Sequence, residues 1–244
     1  MKVRNFFIGA IVTSALAAGT ASAAELNWDQ GQGLSPGGTL VFDGTRVIGS
    51  NIGFDLMNAT GTSADGVYHC SNAAGGVASP VGGSRCLLSF TTGALQTVVN
   101  GTYIFGPGGN VTMSGFLSTA SPGDTGAVAG VSPLVVEGSF NSYTLTLVGN
   151  SGVAAGIGVD IKDARLAEWF GLGQDFRFTM SQLAINGCGA AAAARALVDS
   201  NVDGSFTCNV NNADFQNNSV PEPGTLALLG LGLLGVGAAR RRKA

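Results

Sequence analysis

The stretch Leu95-Gln-Thr-Val-Val99, Asn100-Gly101, Thr102-Tyr-Ile-Phe105 decides the fold class of this chain. It places an Asn-Gly pair between two short runs that are rich in β-branched and aromatic residues. Asn-Gly favours a type I′ turn, because both central positions of that turn need a positive φ. The sequence therefore predicts an antiparallel hairpin with strands at 95–99 and 102–105.

Further strands are predicted on both sides of this hairpin by short runs in which apolar and polar residues alternate. The clearest runs are 39–43, 52–57, 134–136, 143–148 and 176–181, and further candidates are 86–91, the weaker 111–117 and the Gly-rich 153–161. Gly, Thr, Ser, Val and Asn are abundant between the two ends while Lys and Glu are scarce, which disfavours helices. We therefore predict an all-β ectodomain, an antiparallel β-sandwich or jelly roll.

Two short helices are expected to interrupt the strands. Residues 163–170 place Leu166, Trp169 and Phe170 on one helical face, which would pack on the sheet. Residues 190–198 are rich in strong helix formers.

The N-terminus has the three parts of a signal peptide. Lys2 and Arg4 precede an uncharged, largely apolar stretch at 6–18, and Ala21-Ser22-Ala23 has the small-x-small form of a signal-peptidase site. We predict a signal peptide at 1–23 that signal peptidase removes after Ala23. The alternative of a permanent N-terminal membrane helix is weaker, because the apolar stretch is short.

The C-terminus also has three parts. Pro221-Glu222-Pro223 cannot lie inside a helix, so residues 216–224 are predicted to be an extended linker. Residues 225–239 carry no charge, and as a helix they would span about 22 Å of the roughly 30 Å hydrocarbon core. The basic side chains of the tail at 240–244 can extend that reach and hold the tail in the cytoplasm: Arg240, Arg241, Arg242 and Lys243. The ectodomain is then 24–215.

This tail resembles the PEP-CTERM sorting signal of exported proteins from Gram-negative bacteria. The resemblance implies transient anchoring in the inner membrane, recognition by the membrane transpeptidase exosortase with cleavage near Pro221-Glu222-Pro223, and then a cell-surface or extracellular location. It also implies a link to exopolysaccharide and biofilm or floc formation, since members of that family often have one. The alternative is an ordinary single-span tail anchor.

Charge and cysteine content fit an exported domain. The whole chain has a net charge of −3, and residues 24–219 hold 6 basic and 14 acidic side chains, a net charge of −8. This balance argues against binding to nucleic acid or anionic lipid. Four cysteines in an oxidising compartment indicate two disulfides. Three pairings are open, and we prefer the local one, Cys70–Cys86 with Cys188–Cys208. A four-thiolate zinc site is the alternative, but the chain lacks the close ligand spacing that it needs.

The catalytic inventory is thin. His69 is the only histidine, and no sequence pattern supplies it with a nucleophile and an orienting group. Four acids could supply a glycosidase-like carboxylate pair: Glu137, Asp160, Asp163 and Glu168. Because acids are scattered through the ectodomain, we expect no catalytic residues and no enzymatic activity.

One pattern points to a metal ion. Asp199, Asn201 and Asp203 occupy positions 1, 3 and 5 of an EF-hand-like calcium loop, with Gly204 at position 6. Position 12 is Val210 in place of a bidentate Glu, so another oxygen ligand would have to substitute, from Asn209, Asn211 or Asp214. The alternative is a polar turn clamped through Cys208. No cofactor other than calcium is expected.

Three functions remain open from the sequence. The first is an exported, non-enzymatic surface or matrix protein with a structural or adhesive role. The second is a lectin-like module that stacks sugars on exposed aromatic rings, with five candidates: Trp28, Tyr68, Tyr103, Tyr143 and Trp169. The third is a hydrolase of matrix polysaccharide. The expected partners are signal peptidase, exosortase, the inner membrane and exopolysaccharide, and no nucleic acid.

Overall fold

The computed structural model describes residues 23–30, 37–71, 85–118, 134–189 and 204–220. These residues form fourteen strands and one helix. The first seven strands are β1 (Glu25–Asp29), β2 (Thr39–Phe42), β3 (Val47–Phe54), β4 (Leu56–Thr60), β5 (Gly66–Ser71), β6 (Cys86–Thr92) and β7 (Leu95–Val99). The others are β8 (Thr102–Phe105), β9 (Gly108–Ser114), β10 (Phe116–Ser118), β11 (Leu134–Val148), β12 (Ser151–Lys162), β13 (Asp175–Asn186) and β14 (Phe206–Ser219), with helix α1 (Ala164–Phe170) before β13.

Eight strands close into an antiparallel barrel in the order β2-β3-β6-β9-β11-β12-β13-β14, with β14 pairing back to β2. The first part of β14 pairs with β2 and its last part with β1, so β1, β4, β5 and β10 extend the sheet beyond the barrel. The antiparallel all-β prediction is confirmed. The strands form one sheet, eight of whose strands close on themselves, and the finer sandwich or jelly-roll arrangement is not confirmed.

The predicted hairpin is confirmed. β7 and β8 pair antiparallel around Asn100 (φ 49°) and Gly101 (φ 79°), the two positive φ angles that a type I′ turn needs. The hairpin docks on the last part of β11, where Tyr103 lies opposite Leu145.

Aromatic side chains fill the core. Phe42 meets Tyr103 with ring centroids 5.2 Å apart, and Phe140 lies 5.2 Å from Tyr143 and 5.3 Å from Phe178, all edge to face. The alternation predicted for 39–43, 143–148 and 176–181 is confirmed. These strands bury Leu40 and Phe42, then Tyr143, Leu145 and Leu147, then Phe176, Phe178 and Met180.

Strand β12 reverses the usual pattern. Its outward side chains are apolar and about half exposed, from Val153 (51%) to Ile161 (57%). Its buried positions include Gly156, Gly158 and the charged pair Asp160 and Lys162. Space explains the glycines: a Cβ on Gly156 would lie 2.6 Å from Phe140 Cε1 and 2.8 Å from Tyr143 Cδ2.

The first predicted helix is confirmed as α1. Asp163 caps it, since its Oδ1 accepts hydrogen bonds from the backbone N–H groups of Arg165 (3.0 Å) and Leu166 (3.4 Å). Leu166 and Phe170 are buried, but the prediction that Trp169 shares their face is wrong, because this side chain is 41% exposed. The second predicted helix, 190–198, lies outside the described residues.

The predicted linker begins too early. Residues 216–219 belong to β14, paired with β13 on one side and β1 on the other. Their polarity predicts a linker, but the Asn217 side chain is fully buried. The alternation of buried and more exposed side chains along β14, with Ala213 and Phe215 buried, continues through Asn217. Strand structure therefore extends to Ser219.

Both disulfides have the local pairing that the sequence analysis preferred. Cys70 is joined to Cys86 and Cys188 to Cys208, with Cα atoms 5.2 and 4.2 Å apart. The signal peptide up to residue 22, the Pro-Glu-Pro segment, the apolar run and the basic tail lie outside the described residues. In the part of the chain that is described, no helix is long and apolar enough to cross a membrane.

Candidate functional site

The two ends of the described chain meet at one place. The backbone N–H of Ala24 donates to Ser219 Oγ (2.9 Å), and the backbone N–H of Ser219 donates to the Ala24 carbonyl (2.8 Å). Ala24 is the residue that follows the predicted signal-peptidase site, and Ser219 lies two residues before Pro221. The residue that follows the predicted N-terminal cut is therefore hydrogen-bonded to the last residue of β14.

A cleft of about 820 Å³ opens where the chain leaves this junction, and we call it the exit cleft. Val220, the last described residue, is one of its lining residues, and its backbone N–H donates to the Asp175 carbonyl (3.3 Å). Its apolar lining is Val136, Val159, Ile161, Phe176 and Val220, and its charged lining is Glu137, Asp160, Lys162, Asp163 and Asp175.

Four buried polar side chains form a chain of contacts beside this cleft. Lys162 Nζ contacts Asp160 Oδ2 and lies 4.6 Å from the centre of the Phe176 ring. Asn217 Nδ2 donates to Asp160 Oδ1 (2.8 Å), and Trp28 Nε1 donates to Asn217 Oδ1 (3.0 Å). These contacts tie β12 to β14 and β1, and they fix β14 within three residues of the point where the chain leaves the sheet.

Burial and the neighbouring carboxylate have opposing effects on the pKa of Lys162. Removal from water lowers the pKa of Lys162 well below its ordinary value, although the Asp160 carboxylate beside it favours the charged amine. The pair is fully enclosed, so its contacts stabilise the strand arrangement and offer no accessible nucleophile.

The four acids considered as a glycosidase-like carboxylate pair have different surroundings in the structure. Asp163 is engaged as the helix cap, and Asp160 is held by Lys162 and Asn217. Glu137 lies at the rim of the exit cleft, and Glu168 is exposed on α1. His69 is half-buried on β5. Three of the four acids thus line one cleft, but two of them already have structural partners.

The aromatic rings considered for sugar stacking lie mostly in the core. Tyr68 is 4% exposed and the next three are less exposed still: Trp28, Tyr103 and Tyr143. Because a buried ring cannot stack on a sugar, the stacking role predicted for these four is wrong. Trp169 is exposed, and its indole N–H donates to Tyr68 Oη (3.4 Å), which in turn donates to the Ala64 carbonyl (2.7 Å).

The calcium loop is described only from Gly204 onward, so Asp199, Asn201 and Asp203 lie outside the described residues. From Phe206 the chain is strand β14, and Val210 is buried at position 12. Asp214 lies eight residues beyond Phe206 along that strand, about 26 Å away. Its pKa is raised by partial burial and by the Asp29 carboxylate, which makes it a poorer cation ligand. In the described residues, no group of three or more His, Cys, Asp or Glu side chains could hold a metal ion.

Comparison with known families identifies the C-terminal end. Residues 219–243 match the PEP-CTERM protein-sorting motif. The match includes Pro221, Glu222 and Pro223 and begins at the last residue of β14, so the sorting motif starts directly where the folded sheet ends. It indicates exosortase-dependent sorting of an exported protein to the surface of a Gram-negative cell. No curated protein and no solved structure matches this chain.

Sequence reasoning did not find Asn217, Ser219 or the exit cleft. The signal for Asn217 was present, because the alternation from Ala213 through Phe215 continues to it. The contact of Ser219 depends on two strands that are about 190 residues apart in the chain. The cleft is lined by residues from β11 through β13 together with Val220, so it also depends on contacts that no local pattern reports.

Proposed function

We propose that this protein is an exosortase-sorted surface or extracellular-matrix protein with a non-enzymatic structural or adhesive role, linked to exopolysaccharide or biofilm. The observation that carries the proposal is the sorting motif at residues 219–243, which follows the closed sheet without a gap. The two disulfides of the domain suit a protein that works outside the cell.

The outward face of β12 supports an adhesive role. Val153, Ile157, Val159 and Ile161 form an exposed apolar row along the strand. Half-buried hydroxyl side chains flank this row on the neighbouring strands: Ser142, Thr144 and Thr146 on β11 and Thr179 on β13. Apolar rows with hydroxyl borders suit contact with polysaccharide rings or with another protein surface.

Three measurements test this proposal. Intact-mass analysis of the surface or secreted form should find a chain that starts at Ala24 and lacks the basic residues from Arg240 to Lys243. Pro221→Ala with Glu222→Ala and Pro223→Ala should leave export intact and retain the precursor in the inner membrane. A surface form that keeps its full C-terminus would make the tail a plain anchor. If a strain that lacks the gene forms a normal matrix and its cells cohere normally, the proposed structural role is wrong.

A lectin-like activity is the second candidate, and the exposed, hydrogen-bonded indole of Trp169 favours it. The secreted protein and its Trp169→Ala variant would be compared on a glycan array that includes the exopolysaccharide of the host. Binding that the variant loses would support this function. Equal signals from both proteins would exclude stacking on this ring.

Calcium binding at Asp199, Asn201 and Asp203 belongs to the same proposal as an accessory site. Without a twelfth-position Glu, its affinity would be about 10⁻⁴–10⁻³ M at best. The secreted protein should then melt at a higher temperature in millimolar calcium than in chelator, and Asp199→Ala with Asp203→Ala should abolish the difference. Equal melting temperatures for the wild type would leave only a turn.

A further inference from the structure

We propose that the surface around the exit cleft is a docking surface for exosortase, so that the enzyme reads the folded domain as well as the Pro-Glu-Pro segment. The surface consists of Val159, Ile161 and Val220 with the rim acids Glu137 and Asp175. This inference rests on the proposed exosortase sorting and adds a second contact to it.

The first step of the argument is the short tether. Five residue steps separate Val220, at the edge of the cleft, from Thr225, where the predicted membrane helix begins. At about 3.3–3.6 Å per residue, this tether spans at most about 18 Å. An enzyme that binds Pro221-Glu222-Pro223 while the sheet is intact must therefore contact the end of the domain that carries the exit cleft.

The second step is that the residues just before the motif, at the end of β14, stay bound in the sheet. Asn217 and Ser219 are hydrogen-bonded within β14 between β13 and β1, and the Asn217 side chain is held by Trp28 and Asp160. Pulling the end of β14 free would leave these buried polar groups without partners, which is unfavourable by several kcal/mol. The enzyme therefore receives the motif only from Val220 onward, beside the cleft.

The third step concerns the chemistry of the partner. Val159 and Ile161 are 45% and 57% exposed, and Val220 is 41% exposed, so the surface has an apolar centre. The exposed side chains of Glu137 and Asp175 at its rim are acidic. Arg177 of β13 is exposed opposite Val159, so Glu137, Asp175 and Arg177 together give this surface a net charge of −1. This net negative charge disfavours anionic lipid, whereas a protein surface with an apolar centre and basic groups facing the two acids would be complementary. The occupant we assign is a surface of that kind on exosortase, outside the membrane.

The experiment measures how fast the full-length precursor is converted to the mature form in cells that carry exosortase, by pulse-chase labelling. The test variant is Val159→Thr with Ile161→Thr, which keeps β-branched side chains while removing apolar contact. The control variant is Val148→Thr with Val153→Thr, which changes two exposed valines at the opposite end of the sheet. We expect conversion of the test variant to slow by about five- to tenfold and the control to match the wild type.

Two further arms test folding and the role of the tether. Both variants must form the Cys70–Cys86 and Cys188–Cys208 disulfides on non-reducing gels, which excludes misfolding. A ten-residue Gly/Ser insertion after Val220 should slow the wild type, because it dilutes the tethered motif around the docked domain, and should remove most of the difference between wild type and test variant.

Conversion of the test variant at the wild-type rate overturns the docking surface, while the Pro221/Glu222/Pro223 triple alanine variant shows separately whether sorting depends on the motif. If that triple variant is converted normally, the proposed sorting itself fails. Flotation of the wild type with phosphatidylglycerol vesicles, lost in the test variant without a change in conversion, would assign the surface to lipid and would also overturn the inference.

Discussion

The neighbouring strands β12 and β13 place their large apolar side chains on opposite faces of the sheet. β13 buries Phe176, Phe178 and Met180 and exposes Arg177, whereas β12 buries Gly156, Gly158, Asp160 and Lys162 and exposes valines and isoleucines. They pair directly, with Gly158 opposite Phe178 and Asp160 opposite Phe176. The comparison shows that side chains on neighbouring strands share the interior of a closed sheet. Where the rings of Phe140, Tyr143 and Phe178 occupy that interior, β12 has Gly156 and Gly158, and nearer the exit cleft it buries the pair Asp160 and Lys162.

Loss of the Asp160 carboxylate should give the largest effect. Asp160→Ala leaves Lys162 buried without its partner and Asn217 without its acceptor, so the free energy of unfolding should fall by about 3–5 kcal/mol. Urea unfolding of the secreted protein measures this. Asp175→Ala, on the outward face of β13, is the matched control and should change stability by no more than about 0.5 kcal/mol.

Adding Lys162→Met to Asp160→Ala should recover much of that loss, because the unpaired amine is removed as well. If Asp160→Ala alone were as stable as the wild type, the buried pair would not be needed to hold β12 in place.

A side chain at Gly156 should give the next largest effect. Gly156→Val places methyl groups against the Phe140 and Tyr143 rings, and overpacking of this kind is destabilising by about 1–3 kcal/mol. Ala155→Val adds two methyl groups one residue earlier on the exposed face and should be nearly neutral. Thermal unfolding of both variants compares the two faces of one strand. Equal melting temperatures would contradict the volume explanation.

These two strands also show why some features could be predicted from sequence and others could not. Phe176, Phe178 and Met180 on β13 identify their inner face by themselves, and Asn100-Gly101 identifies the hairpin. β12 was identified as a strand without an inner face, because its glycines are explained only by the rings of Phe140, Tyr143 and Phe178 that lie beside them.

The C-terminal end shows the same limit. The sorting motif was evident from Pro221-Glu222-Pro223 and the basic tail, since both are local patterns. The polar residues just before it suggested a linker, but Asn217 is satisfied by Trp28 and Asp160, which are 189 and 57 residues away along the chain. Long-range hydrogen bonding therefore decided the exact end of the sheet.

The next prediction concerns the pH dependence of the free energy of unfolding, which should report the buried Lys162 of β12. Lys162 is the only lysine between the signal peptide and the C-terminal tail. An unfolded lysine keeps its proton up to about pH 10.4, whereas burial lowers the pKa of Lys162 in the folded state. The unfolded state then binds more protons, so the free energy of unfolding should rise with pH, by at most about 1.4 kcal/mol per pH unit.

The useful window is from about pH 8 to 9.5, because tyrosines ionise near pH 10 in the unfolded chain. Burial raises the pKa of Tyr143, so above that pH its contribution has the opposite sign. Chemical unfolding of the wild type and of Lys162→Met at several pH values measures the slope, which should disappear in the variant. A wild-type stability that does not rise with pH in this window would show that the Asp160 carboxylate keeps the amine charged.

Substitutions on the outward face of β12 and β13 should change the free energy of unfolding least. Ile157 of β12 is 50% exposed and lies opposite Thr179 of β13, which is half-buried, so this one pair joins the apolar row to its hydroxyl border. Ile157→Thr keeps a β-branched side chain and removes little buried apolar area, so stability should change by about 0.5 kcal/mol or less. The reverse change, Thr179→Val, should be equally small. If either variant instead lost 2 kcal/mol or more on the scale of Gly156→Val, the exposed row would be part of the packing of the domain, and its availability for adhesion would have to be given up.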